Sequence, residues 1–98
     1  MPNDYQIHAV AFRSGSCWVA QCLEYDIATQ AKSFRELLYE VERILVAHVL
    51  VARGEGADPF AGIPKAPKRF WEMYKNGKPI PDATPEMPET RVQMALAA

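Results

Sequence analysis

The chain is predicted to be one α+β domain: a three-stranded antiparallel sheet, one long helix and a final strand, with a Pro-rich insertion over about 54–88 that carries a short helix. Three observations lead there. Two strand-like segments flank Ser14-Gly15-Ser16, Ser33 and Glu36 open a long apolar-periodic run, and seven of the eight prolines lie between Glu55 and Pro88. At 98 residues the chain can bury one core but not two.

Tyr5 to Arg13 alternates as a strand, with Tyr5, Ile7, Ala9 and Ala11 on one face and His8, Val10 and Phe12 on the other. Both faces carry apolar groups, so this strand needs cover on two sides. Gly15 between serines marks a hairpin, because tight hairpin turns require a positive φ that glycine accepts. Cys17 to Leu23 is then the returning strand. A loop of two or four residues makes partner positions sum to an odd number, which places Trp18, Ala20 and Cys22 with Ile7, Ala9 and Ala11. A three-residue loop would exchange the faces of one strand. Small side chains admit a close helix, so this is the face expected under the long helix. The other, with Val10, Phe12, Val19 and Leu23, is expected to lack cover within the chain.

After a bend at Leu23 to Asp26, Ile27 to Gln30 reads as a short third strand. Ser33 and Glu36 have capping-box spacing. From Phe34 the residues Leu37, Leu38, Val41, Ile44, Leu45, His48 and Ala52 recur at helical spacing until Arg53-Gly54, which reads as the stop. Tyr39, Val46 and Leu50 form a second stripe on the reverse of this helix. It requires a second cover, supplied by the later chain or by another molecule. His48, alone on the apolar side, reads as a hydrogen-bonded core residue.

The Pro-rich stretch contains a short helix from Pro67 to Asn76, opened by proline and closed at Gly77. Phe70, Trp71 and Tyr74 are expected to fold back over Tyr39, Val46 and Leu50. The same segment holds Lys65, Lys68, Arg69, Lys75 and Lys78 against one acid, Glu72. Basic residues interleaved with aromatics suit single-stranded nucleic acid, through phosphate neutralisation and base stacking. Lys68, Arg69, Trp71 and Lys75 are the candidates for that function, against the plainer reading of a solvated basic face with buried rings. Glu89 to Ala98 alternates as a last strand that joins an edge of the hairpin sheet.

The net charge of −1 draws the whole chain to neither nucleic acid nor membrane. No apolar run approaches the roughly 20 residues that cross a bilayer, and the opening MPNDYQIH lacks a signal-peptide pattern. A cytoplasmic protein is expected. Cys17 and Cys22 on one strand would stand roughly 16 Å apart on opposite faces, too far for a disulfide. No zinc-ligand spacing, glycine-rich phosphate loop, HExxH or serine-histidine-aspartate pattern occurs. Asp4, Glu24 and Asp26 are the acids near the sheet, and none alternates onto a strand interior. The chain is accordingly expected to be no enzyme, with no catalytic residues, no metal and no cofactor.

Tyr5 with Ala9, Gly15, Trp18-Val19-Ala20-Gln21-Cys22-x-Glu24, Ile27-x-Thr29-Gln30 and Ser33-x-x-Glu36-Leu37-Leu38 together resemble the N-terminal domain of HicB-type antitoxins and their stand-alone relatives. Asn76 to Pro81 followed by a strand is similar to the family's stretch after its helix. The resemblance implies a β-β-β-α-β fold related to a reduced ribonuclease H core, without catalysis. It also implies self-association and, for the antitoxins, neutralisation of a HicA-type ribonuclease toxin of double-stranded-RNA-binding fold. Leu23 and Tyr25-Asp26 depart from the family's usual bend, Ala31 stands where glycine is common, and the form expected is one without a DNA-binding tail. The expected function is therefore a self-associating, non-catalytic protein-interaction module. Its expected interface residues are Val10, Phe12 and Val19 on the sheet and Tyr39, Val46 and Leu50 on the helix.

Overall fold

The computed structural model describes residues 5–56, 60–80 and 90–97. Strands β1 (Tyr5–Ser14), β2 (Cys17–Cys22) and β3 (Ala28–Ala31) precede helix α1 (Phe34–Glu55), and helix α2 (Lys68–Asn76), β4 (Lys78–Ile80) and β5 (Thr90–Leu96) follow. The strands form one five-stranded sheet in the order β3-β2-β1-β5-β4. Only the β1–β5 pair is parallel; its neighbours pair antiparallel.

The hairpin closes with two residues, Gly15 and Ser16, between the paired Ser14 and Cys17. Gly15 has φ +63°, the left-handed conformation for which the turn selects glycine. Partner positions sum to an odd number, as in Ala9 with Cys22 and Ala11 with Ala20. Ile7, Ala9, Ala11, Ala20 and Cys22 consequently share one core with Val92 and Met94 of β5 and with Leu37, Val41, Leu45 and Val49 of α1. The small side chains of β1 and β2 are where the expectation placed them, beneath the long helix.

Helix α1 opens at the predicted residue. Ser33 Oγ accepts the Glu36 amide at 3.1 Å, half of a capping box. The helix passes Gly54, the expected stop, and ends one turn-fragment later before Gly56, whose φ of +66° terminates it. His48 holds to α1 by donating Nδ1–H to the Ile44 carbonyl at 2.8 Å, and its ring stacks on Phe60, which stacks in turn on Tyr25 at 4.4 Å.

Beyond α1 the chain is pinned to the end of β2. Asp26 N–H donates to the Pro64 carbonyl at 2.7 Å and Ala66 N–H to the Leu23 carbonyl at 2.9 Å. These two bonds deliver α2 to the back of the sheet, away from α1. The expectation that Phe70, Trp71 and Tyr74 cover Tyr39, Val46 and Leu50 is thereby corrected. Phe70 stacks on Phe12 with ring centroids 6.0 Å apart, Tyr74 meets His8 edge-on at 5.4 Å, and Trp71 Nε1–H donates to the Ala66 carbonyl at 3.1 Å.

The expected three-stranded sheet is corrected as well. The final strand joins the free edge of β1, as expected, and β4, in a stretch expected to be mostly loop, extends the sheet by one more strand. Pro79 sits in the middle of β4 and cannot donate to a ladder, a residue tolerated in sheets mainly at an edge. Gly77, between α2 and β4, has an ordinary negative φ; its requirement is space. A Cβ there would lie 2.7 Å from the Leu96 carbonyl oxygen and 3.1 Å from that of Met73.

The placement of α2 has a measurable signature. A double-mutant cycle of Phe12→Leu with Phe70→Leu, followed by urea unfolding, should give a coupling of about 0.5–1.5 kcal/mol. The cycle of Phe70→Leu with Val46→Ala should give none.

Candidate functional site

Three surfaces carry the residues that the sequence reading selected. The first is the back of the sheet. Val10 is fully buried, Phe12 is half-buried against Phe70, and Val19 is half-buried. The expected uncovered face is thus corrected: α2 covers part of it from within the chain, and Val10 presents no surface to a partner. The physical reason is the pair of backbone bonds that anchors residues 64 and 66 at the β2 end.

The second surface is the outward side of α1. Tyr39 is 63% exposed, Leu50 57% and Val51 62%, with Val46 half-buried and Ala47 exposed beside them. Positions 39, 43, 46 and 50 follow the 4-3-4 spacing of a helix-pairing seam. Arg43 in that seam is held by Glu40, whose Oε2 accepts from Nη2 at 2.9 Å and from Nε at 3.3 Å. The carboxylate raises the guanidinium pKa above its ordinary value through that hydrogen bond and its charge. Sheet and α2 both lie elsewhere, so this stripe has no cover among the described residues.

The third is the outer side of α2. Lys65, Lys68, Arg69, Lys75 and Lys78 are all exposed, so the basic row is available to solvent. The aromatic half of a nucleic-acid platform is engaged elsewhere: Phe70 and Tyr74 stack inward, Trp71 is half-buried and hydrogen-bonded, and the Arg69 guanidinium lies 4.7 Å from the Phe70 ring centroid. Of the candidates Lys68, Arg69, Trp71 and Lys75, the three cations remain free to meet phosphate while the ring faces the protein.

One cluster escaped the sequence reading. Glu24 accepts two bonds from His8, at 2.7 Å from its backbone N–H and at 2.5 Å from Nδ1. Tyr74 closes over the histidine ring, and burial with the Glu24 charge raises its phenol pKa above the ordinary value. Beside it Gln21, buried in the same face, donates from Nε2 to the Cys22 carbonyl at 3.0 Å and to Asp26 Oδ1 at 2.8 Å. The signal lay in the register: a hairpin sum of 31 puts Leu23 opposite His8 and so Glu24 at the next step. Glu24 and Asp26 each face a different partner, Asp4 lies outside the described residues, and no group of three potential metal ligands occurs among those described.

Cys17 and Cys22 are both free thiols, and no helix among the described residues is long and apolar enough to cross a membrane. Burial, with a smaller contribution from the Glu24 charge, pushes the Cys22 thiol from its ordinary 9.0 to about 12. A raised thiol pKa means that the folded state holds its proton longer than the unfolded one, so this contribution to stability is present below pH 9 and is lost as pH rises toward 12. Iodoacetamide at pH 8 should therefore add one label to the native protein, at Cys17, and two after denaturation, counted by mass spectrometry. Glu24→Ala should cost about 1–3 kcal/mol in urea unfolding, because it strands the half-buried His8 amide and imidazole.

Comparison with protein-family models, with curated proteins and with solved structures finds no match for this chain.

Proposed function

We propose that the protein is a non-catalytic interaction module that associates with itself through the outward face of α1. The observation that carries this reading is the exposure of Tyr39 and Leu50 on one helix face, at 63% and 57%, with Val51 at 62% beside Leu50, after the chain has used its own second helix on the other side of the sheet. Large apolar groups gathered in a patch, as at Val46, Leu50 and Val51, mark an interaction surface, whereas scattered ones do not. The seam is apolar in its C-terminal half, at Val46, Ala47, Leu50 and Val51, and charged toward its N-terminal half, where Arg43 and Glu40 pair. A second copy crossing near Leu50 matches apolar half to apolar half, the self-complementary contact of a two-fold dimer.

The resemblance to HicB-type domains adds a partner class, a small ribonuclease of double-stranded-RNA-binding fold that the module would neutralise. The order of three antiparallel strands, a helix and a later strand beside the first is compatible with the β-β-β-α-β fold that the resemblance implies, and the partner class rests on the resemblance alone. Inhibition of RNA cleavage by a HicA-type toxin on mixing with this protein tests it.

Self-association has its own test. Sedimentation velocity at micromolar concentration should return at least twice the 11.0 kDa of one chain. Leu50→Glu should weaken the assembly at least ten-fold, about 1.4 kcal/mol, while native circular dichroism is retained. A wild-type protein that sediments as one chain at 100 μM overturns the proposal.

A further inference from the structure

Where β1 and β5 run side by side, a polar corner of the sheet has no part in the interface just described. Gln6 and His8 on β1 stand opposite Arg91 and Gln93 on β5 in parallel register. These four side chains, with Ile7, line a cavity of about 60 Å³. Neighbouring strands lie about 4.8 Å apart, and residues two apart on one strand are about 6.6 Å apart. The four side chains therefore rise from the corners of a small rectangle.

Three of the four end in nitrogen donors, one guanidinium and two carboxamides, and the fourth is an imidazole. Among the described residues no carboxylate lines the cavity. The nearest acid of this face, Glu24, has its two oxygens committed to the backbone amide and Nδ1 of His8. That commitment sets the imidazole tautomer, with Nδ1–H directed to Glu24 and Nε2 left as the remaining polar atom of the ring. His8 also has its ring orientation fixed from a second side by Tyr74.

Clustered donors that include one permanent positive charge select an anion. Guanidinium groups favour oxyanions that accept two parallel N–H bonds. A carboxylate has two oxygens and meets one side of the rectangle, whereas a tetrahedral phosphate can address the three corners that carry donors. The volume exceeds the roughly 10–15 Å³ that one water requires several-fold, which suits a phosphate group but not the remainder of a larger molecule. We infer that this cavity binds a dianionic phosphate group, either as the free ion or as the head of a phosphomonoester, with Arg91 as the charged anchor, Gln6 and Gln93 as orienting donors and His8 as a wall of the site.

Titration of ¹⁵N-labelled protein with inorganic phosphate, at ionic strength held constant with sodium chloride, tests this. Saturable shifts are expected at the Gln6 and Gln93 side-chain amides and at the His8 backbone amide. Arg91→Gln should weaken them at least ten-fold with the dispersion of the spectrum unchanged, and the α2 double variant Lys68→Gln/Arg69→Gln should leave them as they are. Phenyl phosphate binding more tightly than inorganic phosphate identifies a phosphomonoester as the natural form, and equal binding identifies the free ion. The inference is overturned if no saturable shift occurs, if the shifts instead follow Lys68, Arg69 and Lys75, or if dimethyl phosphate binds as tightly as the dianion, as a nucleic-acid backbone would.

Discussion

The structure depends on one constraint, which is that the middle of β1, from Ala9 to Ala11, is enclosed on every side. Ala9, Val10 and Ala11 are consecutive and all fully buried, although consecutive strand residues point to opposite faces. Both edges are occupied too, by β2 and by β5. A strand in that position needs a layer above and a layer below, and the domain is the arrangement that provides both from one short chain. Helix α1 lies over Ala9 and Ala11, whose lack of bulk lets it settle close. Helix α2 lies behind, bringing Phe70 and Tyr74 against Phe12 and His8.

The two layers are unequal, and surface is left over on each. Helix α1 has 22 residues and α2 has nine, so the front is sealed by a helix about 33 Å long and the back by one of about 13 Å at 1.5 Å per residue. A helix that covers one sheet face turns its other side away from the sheet whatever its length. The far side of α1 retains Tyr39, Leu50 and Val51 in the open. The shorter helix leaves the back of the sheet unfilled toward Gln6, Arg91 and Gln93, and there the side chains are polar, as a wetted part of a sheet requires. The apolar stripe thus follows from α1 being covered on one side only, and the donor-lined corner from the shortness of α2.

The segment between the helices shows how loops carry position. Its prolines prevent it from forming a long regular element, and two backbone hydrogen bonds from residues 64 and 66 to the bend after β2 decide which side of the sheet α2 reaches. The same bend holds Glu24, so the anchor that places α2 also brings Tyr74 over the His8–Glu24 pair. Packing of the back layer and geometry of the polar cluster are therefore coupled through residues 23 to 26.

By itself the sequence determined everything that rests on local spacing: the Gly15 turn and hence the hairpin register, the Ser33 start of α1, the face of β1 and β2 beneath it, and the second apolar stripe at Tyr39, Val46 and Leu50. Each is a relation among residues within a few turns of one another, legible because side-chain period and backbone conformation are short-range properties. The tertiary structure alone decided that β5 lies parallel to β1, that a proline-containing edge strand extends the sheet, that α2 packs on Phe12 and His8 rather than on the back of α1, and that His8 meets Glu24 and stands beside Gln93. The aromatic rings of α2 were visible as rings that had to be buried, but two apolar surfaces stood ready to receive them. Burial is non-directional, so hydrophobicity could not choose between those surfaces; two directional hydrogen bonds in a loop did.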